Sequence, residues 1–109
     1  MPWLHFVSWF FGGALLANAV PHAVSGLMGR AFQSPFARPR GEGLSSSVTN
    51  VWWGFLNLAL GYGLLAHVGS FDPHDTACMG TAFAGALLLS LGMARHFGRF
   101  NGGNTPERT

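Results

Sequence analysis

Charge is scarce in this chain and lopsided. Asp, Glu and Arg make up 9% of 109 residues, lysine is absent, and four acids stand against six arginines. Soluble proteins carry about a quarter charged residues, so water is not the expected solvent. Sulfur is as sparse. The single cysteine, Cys78, excludes an internal disulfide and any zinc site built on two or more thiolates. The spacings of conventional catalysis are missing too: there is no Gly-x-Ser-x-Gly, no His-Glu-x-x-His and no phosphate-binding glycine loop ahead of a Lys-Ser or Lys-Thr pair. No basic stripe interleaved with aromatics appears. Nucleic acid is therefore not an expected partner, and the sequence pI of about 9.5 points to orientation in a membrane and to anionic headgroups instead.

What the chain does have is three long uncharged runs, Trp3 to Val20, Val48 to Val68 and Thr76 to Ala94. Each matches the roughly 17 to 25 residues that a helix needs to cross about 30 Å of hydrocarbon. The fold class expected is all-α: an integral membrane bundle of three transmembrane helices, a single domain over 1–100, with a polar, mobile cytoplasmic tail over 101–109. A cleaved signal peptide is the competing account of the first run, because Ala17-Asn18-Ala19 resembles a small-residue cleavage site. The missing basic residue at the start speaks against it, and Met1 is expected to stay.

The charges that separate the runs set an orientation. Arg30, Arg38 and Arg40 lie in the first connection and Arg95, Arg99 and Arg108 at the end, whereas the second connection holds only Asp72, Asp75 and His74. By the positive-inside rule the N-terminus lies outside and the C-terminus in the cytoplasm. Trp3 and Trp9 then mark the outer interface, and Trp52 and Trp53 the inner one.

Within the first connection, Ala23, Val24, Leu27, Met28 and Ala31 recur at helical spacing with polar residues between them. This predicts a short amphipathic interfacial helix over 21–33, begun at Pro21; a bent continuation of the first span is the alternative. The prolines and glycines of 34–47 predict a loop, and Ser45, Ser46 and Ser47 supply caps for a helix beginning near Val48. The short turn from Gly69 to Asp75 pairs the second and third runs. Small residues four apart, namely Asn57 and Gly61, Ala59 and Gly63, Gly80 and Ala84, Thr81 and Gly85, allow close packing where lipid gives no hydrophobic driving force. Gly13 and Ala17 give the first run a similar strip.

Polar residues inside such a chain are the candidates for function. Asn57 sits near the middle of the second run, where its amide must face protein; the plain account is an interhelical hydrogen bond of about 0.6 kcal/mol, the sharper one a ligand contact. Asn18, His22, Asn50 and His96, with Arg30 nearby, gather at the cytoplasmic side, either as a polar vestibule or as ordinary helix-end polarity. His22 and His96 on the inner side, and His5, His67 and His74 on the outer, raise bis-imidazole haem as a remote option, although there is no Cys-x-x-Cys-His. No cofactor or metal is expected. Gly61-Tyr62-Gly63 lacks the Thr-Val that precedes it in a potassium filter and is expected to serve packing.

The stretch Asn18-Ala19-Val20-Pro21-His22, the segments Gly26-Leu27-Met28-Gly29-Arg30 and Gln33-Ser34-Pro35-Phe36-Ala37, and Asn50-Val51-Trp52-Trp53-Gly54 resemble a group of small bacterial integral membrane proteins without an assigned activity. The resemblance covers about half the chain and implies a bacterial inner-membrane setting, with no catalytic residue to carry over. The expected job is a non-enzymatic accessory or assembly subunit of a membrane complex, in contact with the bilayer and with other membrane subunits. A homo-oligomeric small-molecule binding or transport protein is the alternative, and a haem-binding redox protein the third.

Overall fold

The structure is a computed structural model that describes residues 2–106. Three helices account for most of it: α1 (Pro2–Leu27), α2 (Ser47–Ala66) and α3 (Thr76–Asn101). Two short strands, β1 (Phe32–Gln33) and β2 (Leu44–Ser45), pair antiparallel in the first connection. At 26 residues each, α1 and α3 run for about 39 Å and are long and apolar enough to cross a membrane. The 20-residue α2 does not reach the same apolarity, because Asn50 and Asn57 interrupt its leucines and glycines.

No separate interfacial helix occupies 21–33. Pro21 lies inside α1, which continues through it to Leu27. A proline forfeits one backbone N–H, a loss that a helix tolerates where neighbouring helices hold it in place. The helix stops where glycine permits a left-handed turn: Gly29 has φ +72°, its N–H donates to the Gly26 carbonyl, and Arg30 N–H donates to the Ser25 carbonyl at 2.8 Å. That pair of bonds satisfies carbonyls the helix end would orphan. Val24, Leu27 and Met28 are exposed.

Helix α2 starts where the serines predict, with Ser46 Oγ accepting from the Thr49 N–H at 3.1 Å. Asp75 caps α3 through the Ala77 N–H at 2.9 Å. Helix α3 runs past the expected end near Ala94 to Asn101, so His96 lies within it rather than beyond it. The first residues of the expected mobile tail fold back instead: Asn104 donates from its side chain to the Arg95 carbonyl at 2.8 Å and from its backbone to the Gly98 carbonyl at 3.3 Å. Residues 107–109 lie outside the described residues, as does Met1.

The helix order differs from the expected pairing of α2 with α3. Helix α1 lies between the other two and packs along both, while α2 and α3 have next to no backbone contact with each other. Gly12 and Gly13 explain the placement, since consecutive residues point roughly 100° apart around a helix. A Cβ on Gly12 would meet Leu65 and the Gly61 carbonyl of α2, and one on Gly13 would run into the Ala82 carbonyl of α3. Gly54 faces the Ala23 backbone and Gly26 faces Ser47 and Val51 along the α1–α2 seam; Gly85 abuts the Phe10 carbonyl along the α1–α3 seam. Two of the expected small-residue strips do not pack. Gly63 and Gly80 have nothing within 4 Å of where a Cβ would stand.

The ends are distinct. At one, Ser8 Oγ donates to the Leu64 carbonyl at 2.8 Å and the Trp9 indole to the Val68 carbonyl at 2.9 Å. Trp9, expected as an interfacial marker, is therefore a buried packing residue at 5% exposure, whereas Trp3 and Trp52 are exposed. Asp72 and Asp75 stand at this end. The ends of α1 and α3, the start of α2 and the loop carrying Arg38 and Arg40 meet at the other.

Candidate functional site

The polar residues singled out by the sequence resolve into three groups rather than one vestibule. Helical spacing puts Asn18 and His22 on one face of α1, against Asn57 and Asn50 of α2. In the middle of the seam, Asn18 Nδ2 donates to Asn57 Oδ1 at 2.9 Å, and Asn57 Nδ2 donates to the Trp53 carbonyl one turn back at 2.8 Å. Asn57 is wholly buried and both functions of its amide are engaged. The interhelical hydrogen bond is thus its observed role.

The second group is built on Asn50, also wholly buried. Its Nδ2 lies within 3.2 Å of the Phe32 and Ser45 carbonyls and 3.0 Å from that of Ser46. Those three acceptors fix which way the amide faces, so Oδ1 turns to His22 Nδ1 at 2.8 Å. An amide oxygen only accepts. His22 therefore carries a proton on Nδ1. Around the imidazole stand Phe32, Trp53 and Phe97, each edge-on, with ring centroids 5.5, 6.3 and 5.9 Å away. One side chain thereby joins α1, both strands and the first turn of α2.

His96 belongs to a third group. Its Nε2 lies 2.6 Å from the Gly41 carbonyl and its Nδ1 is 3.0 Å from Arg99. A carbonyl and a guanidinium demand opposite roles from the two nitrogens, so Nε2 carries the proton and Nδ1 accepts. The ring nitrogen that donates to an oxygen is thus Nε2 here and Nδ1 in His22. Phe97 stands against both rings. Arg30 joins none of the groups: it is exposed and contributes its backbone N–H to the end of α1.

Two participants, Gln33 and Ser34, were not singled out by the sequence. Gln33 and Ser34 are buried at 4% and 1% exposure, although they sit in a connection expected to be surface. Ser34 Oγ shares a hydrogen bond with Ser45 Oγ and accepts from the Phe36 N–H, while its carbonyl accepts from the Gly41 N–H at 2.8 Å. Gln33 Oε1 accepts from Asn101 Nδ2 at 3.2 Å, tying the strand pair to the end of α3. The serine turn before Pro35 was visible in principle, since Ser-Pro favours such turns. A two-residue strand pair has no periodicity to read.

Chemically the arrangement is a set of imidazoles and amides turned toward one another and toward backbone. No carboxylate adjoins either histidine in these groups, and among the described residues no three His, Cys, Asp or Glu side chains gather as a metal site. No protein family, no curated protein and no solved structure matches the chain.

Proposed function

We propose that this chain is a small integral membrane protein of a bacterial inner membrane in which all three helices cross the bilayer, and that it serves as a non-enzymatic accessory or assembly subunit of a membrane complex. The resemblance noted above supports the setting. Helix α2 crosses beside α1 because its two buried asparagines are paired and present no open amide to lipid. The distribution of charge supports an outer N-terminus and a cytoplasmic arginine-bearing end: all five described arginines fall at one end and Asp72 and Asp75 at the other.

The observation that carries the accessory role is the internal use of polarity. Asn50 and Asn57 are wholly buried and spent on His22, Asn18 and backbone carbonyls, so they knit the fold and offer nothing to a substrate. Open backbone at Gly63, Gly80 and Gly92 faces outward, where a partner helix can approach closely. Gentle extraction from the native membrane, followed by intact mass measurement, tests this directly. Foreign subunits in stoichiometric amount are expected; a monomer or a bare homo-oligomer sinks the proposal.

One observation favours the alternative of a homo-oligomeric binding or transport protein. Asn18 is only half-buried and lines an open groove between α1 and α3 with Phe10, Phe11, Leu15, Gly85 and Leu88. A homo-oligomer that keeps an extra small mass, and loses it in Asn18→Ala, would establish that reading instead.

A further inference from the structure

Two neighbouring pockets at the arginine end have complementary chemistry. One, of about 480 Å³, is lined by Pro35, Phe36, Ala37, Arg38, Arg40 and Trp53. The other, of about 350 Å³, is lined by Phe36, Thr49, Trp52, Trp53 and Leu56 and is almost wholly apolar. Phe36 and Trp53 belong to both, their rings edge to face at 5.1 Å. A cationic pocket thus adjoins an apolar groove on α2, with the Phe36–Trp53 pair common to both.

The loop that carries the arginines is tied down. Gly41 N–H donates to the Ser34 carbonyl, Glu42 and Gly43 N–H both donate to the Pro39 carbonyl at 3.0 and 2.8 Å, and His96 holds the Gly41 carbonyl. Neither Arg38 nor Arg40 forms an ion pair among the described residues, Glu42 included. The indole N–H of Trp53 is the one buried side-chain polar atom among them without a hydrogen-bond partner.

We infer that these pockets form a binding site for one anionic phospholipid: the phosphate on Arg38 and Arg40, and an acyl chain in the groove past Trp52, Trp53 and Leu56. Basic pockets beside membrane helices take anionic headgroups in this way, and tryptophan favours headgroup depth. Charge complementarity selects the headgroup, and the adjoining apolar groove selects a lipid over a free phosphate. The inference rests on the membrane-spanning reading given above.

The test uses the full chain purified in neutral detergent. Native mass spectrometry follows its titration with phosphatidylglycerol, with phosphatidylcholine of the same acyl chains, and with inorganic phosphate. One phosphatidylglycerol per chain is expected, at a concentration about tenfold below that needed for phosphatidylcholine, with no adduct from phosphate alone. Arg38→Gln with Arg40→Gln should remove most of that preference, and Leu56→Trp, which fills the groove, should weaken both lipids. Arg30→Gln with Arg95→Gln removes the same charge outside the pocket and should leave binding unchanged. Equal binding of the two lipids, equal binding of free phosphate, or equal loss in the charge-matched control overturns the site. If the double arginine variant loses its helical circular dichroism, Arg40→Gln and Leu56→Trp carry the same comparison. Carbonate washing of native membranes separates the two levels of the argument. A chain that washes off refutes the spanning reading, whereas one that stays but shows no anionic preference refutes the lipid site alone.

Discussion

Replacing Asn50 by alanine should be the most damaging single change to a polar residue in the protein. The substitution removes the acceptor that His22 Nδ1 reaches at 2.8 Å and the donor shared among the Phe32, Ser45 and Ser46 carbonyls. Ser46 keeps a partner, because its carbonyl also accepts the Asn50 backbone N–H at 3.1 Å. The Phe32 and Ser45 carbonyls stay in the β1–β2 pairing but lose the amide's second bond, and the His22 N–H is left without its acceptor. Stranding the buried His22 N–H costs about 1–3 kcal/mol, and two lost bonds to backbone carbonyls add about 0.5–1.5 kcal/mol each. Allowing for two N–H protons shared among three acceptors, the loss is about 2–5 kcal/mol. Asn57→Ala is the built-in comparison. It removes one interhelical bond, worth about 0.6 and at most about 1.7 kcal/mol, and its partner Asn18 is only half-buried and can turn away. Asn50→Asp keeps the acceptor for His22 but places a carboxylate against three carbonyls, so it should be no better than alanine. Unfolding in mixed micelles with rising SDS, followed by circular dichroism and by tryptophan fluorescence, measures all three. The reasoning fails if Asn50→Ala is no less stable than Asn57→Ala, or if Asn50→Asp behaves as the parent protein.

Glycines on the two kinds of helix face should respond in opposite directions. Gly85→Ala drives a methyl into the Phe10 carbonyl and should cost about 1–3 kcal/mol by overpacking, while Gly63→Ala meets open space and should be neutral or gain about 0.5–1 kcal/mol from helix propensity, both read in the same unfolding assay. Ser46→Ala removes the cap on α2 and should cost about 1 kcal/mol, with faster amide exchange at Thr49 as the local readout. His96→Ala frees the Gly41 carbonyl and Arg99; hydrogen exchange should rise across 34–43 and stay unchanged at the Trp9 end. In a Cys78→Ala background, a membrane-impermeant thiol reagent added to intact cells should label Asp72→Cys and miss Arg40→Cys, and the reverse pattern would overturn the proposed orientation.

Helices were legible because their signals are local. Uncharged length and the serines ahead of Val48 are features of adjacent residues, and the structure starts α2 at its serine cap; the Asp75 cap of α3 emerged with the structure. Helix order was not legible. The two small-residue strips that fail to pack, at Gly63 and Gly80, look in the sequence like those at Gly61 and Gly85 that succeed. Spacing shows that two residues share a face, and says nothing of which neighbour that face will meet. Pro21 misled for a related reason, since its effect depends on whether other helices hold α1 straight. Among the candidate residues, pairing depended on the same tertiary register. Asn57 could be assigned to an interhelical bond on physical grounds alone, but that its partner is Asn18, and that Asn50 binds His22 while His96 binds Gly41, follows only once α1 is seated between the other two.

The two seams of α1 are held by different physics, and this bears on which helix the rest of the protein depends on. Along α1–α2, side-chain hydrogen bonds recur from end to end: Ser8 and Trp9 to the carbonyls at the close of α2, Asn18 to Asn57, His22 to Asn50. Each group would lose its partner if the helices parted, and in the proposed bilayer setting no water would replace it, so the pair is specified in register as well as in contact. Along α1–α3 the described residues make no such bond. Gly13 against Ala82 and Gly85 against Phe10 bring the backbones close, and α3 is otherwise fastened at its ends, by Phe71 packed on Trp9 in the connection that precedes it and by His96 and Asn101 on the loop. Close packing without hydrogen bonds resists separation only while the surfaces fit. A single Cβ at Gly13 or Gly85 should therefore loosen α3 and leave α1 and α2 joined, whereas a change at Asn50 disturbs the pair on which α3 is seated.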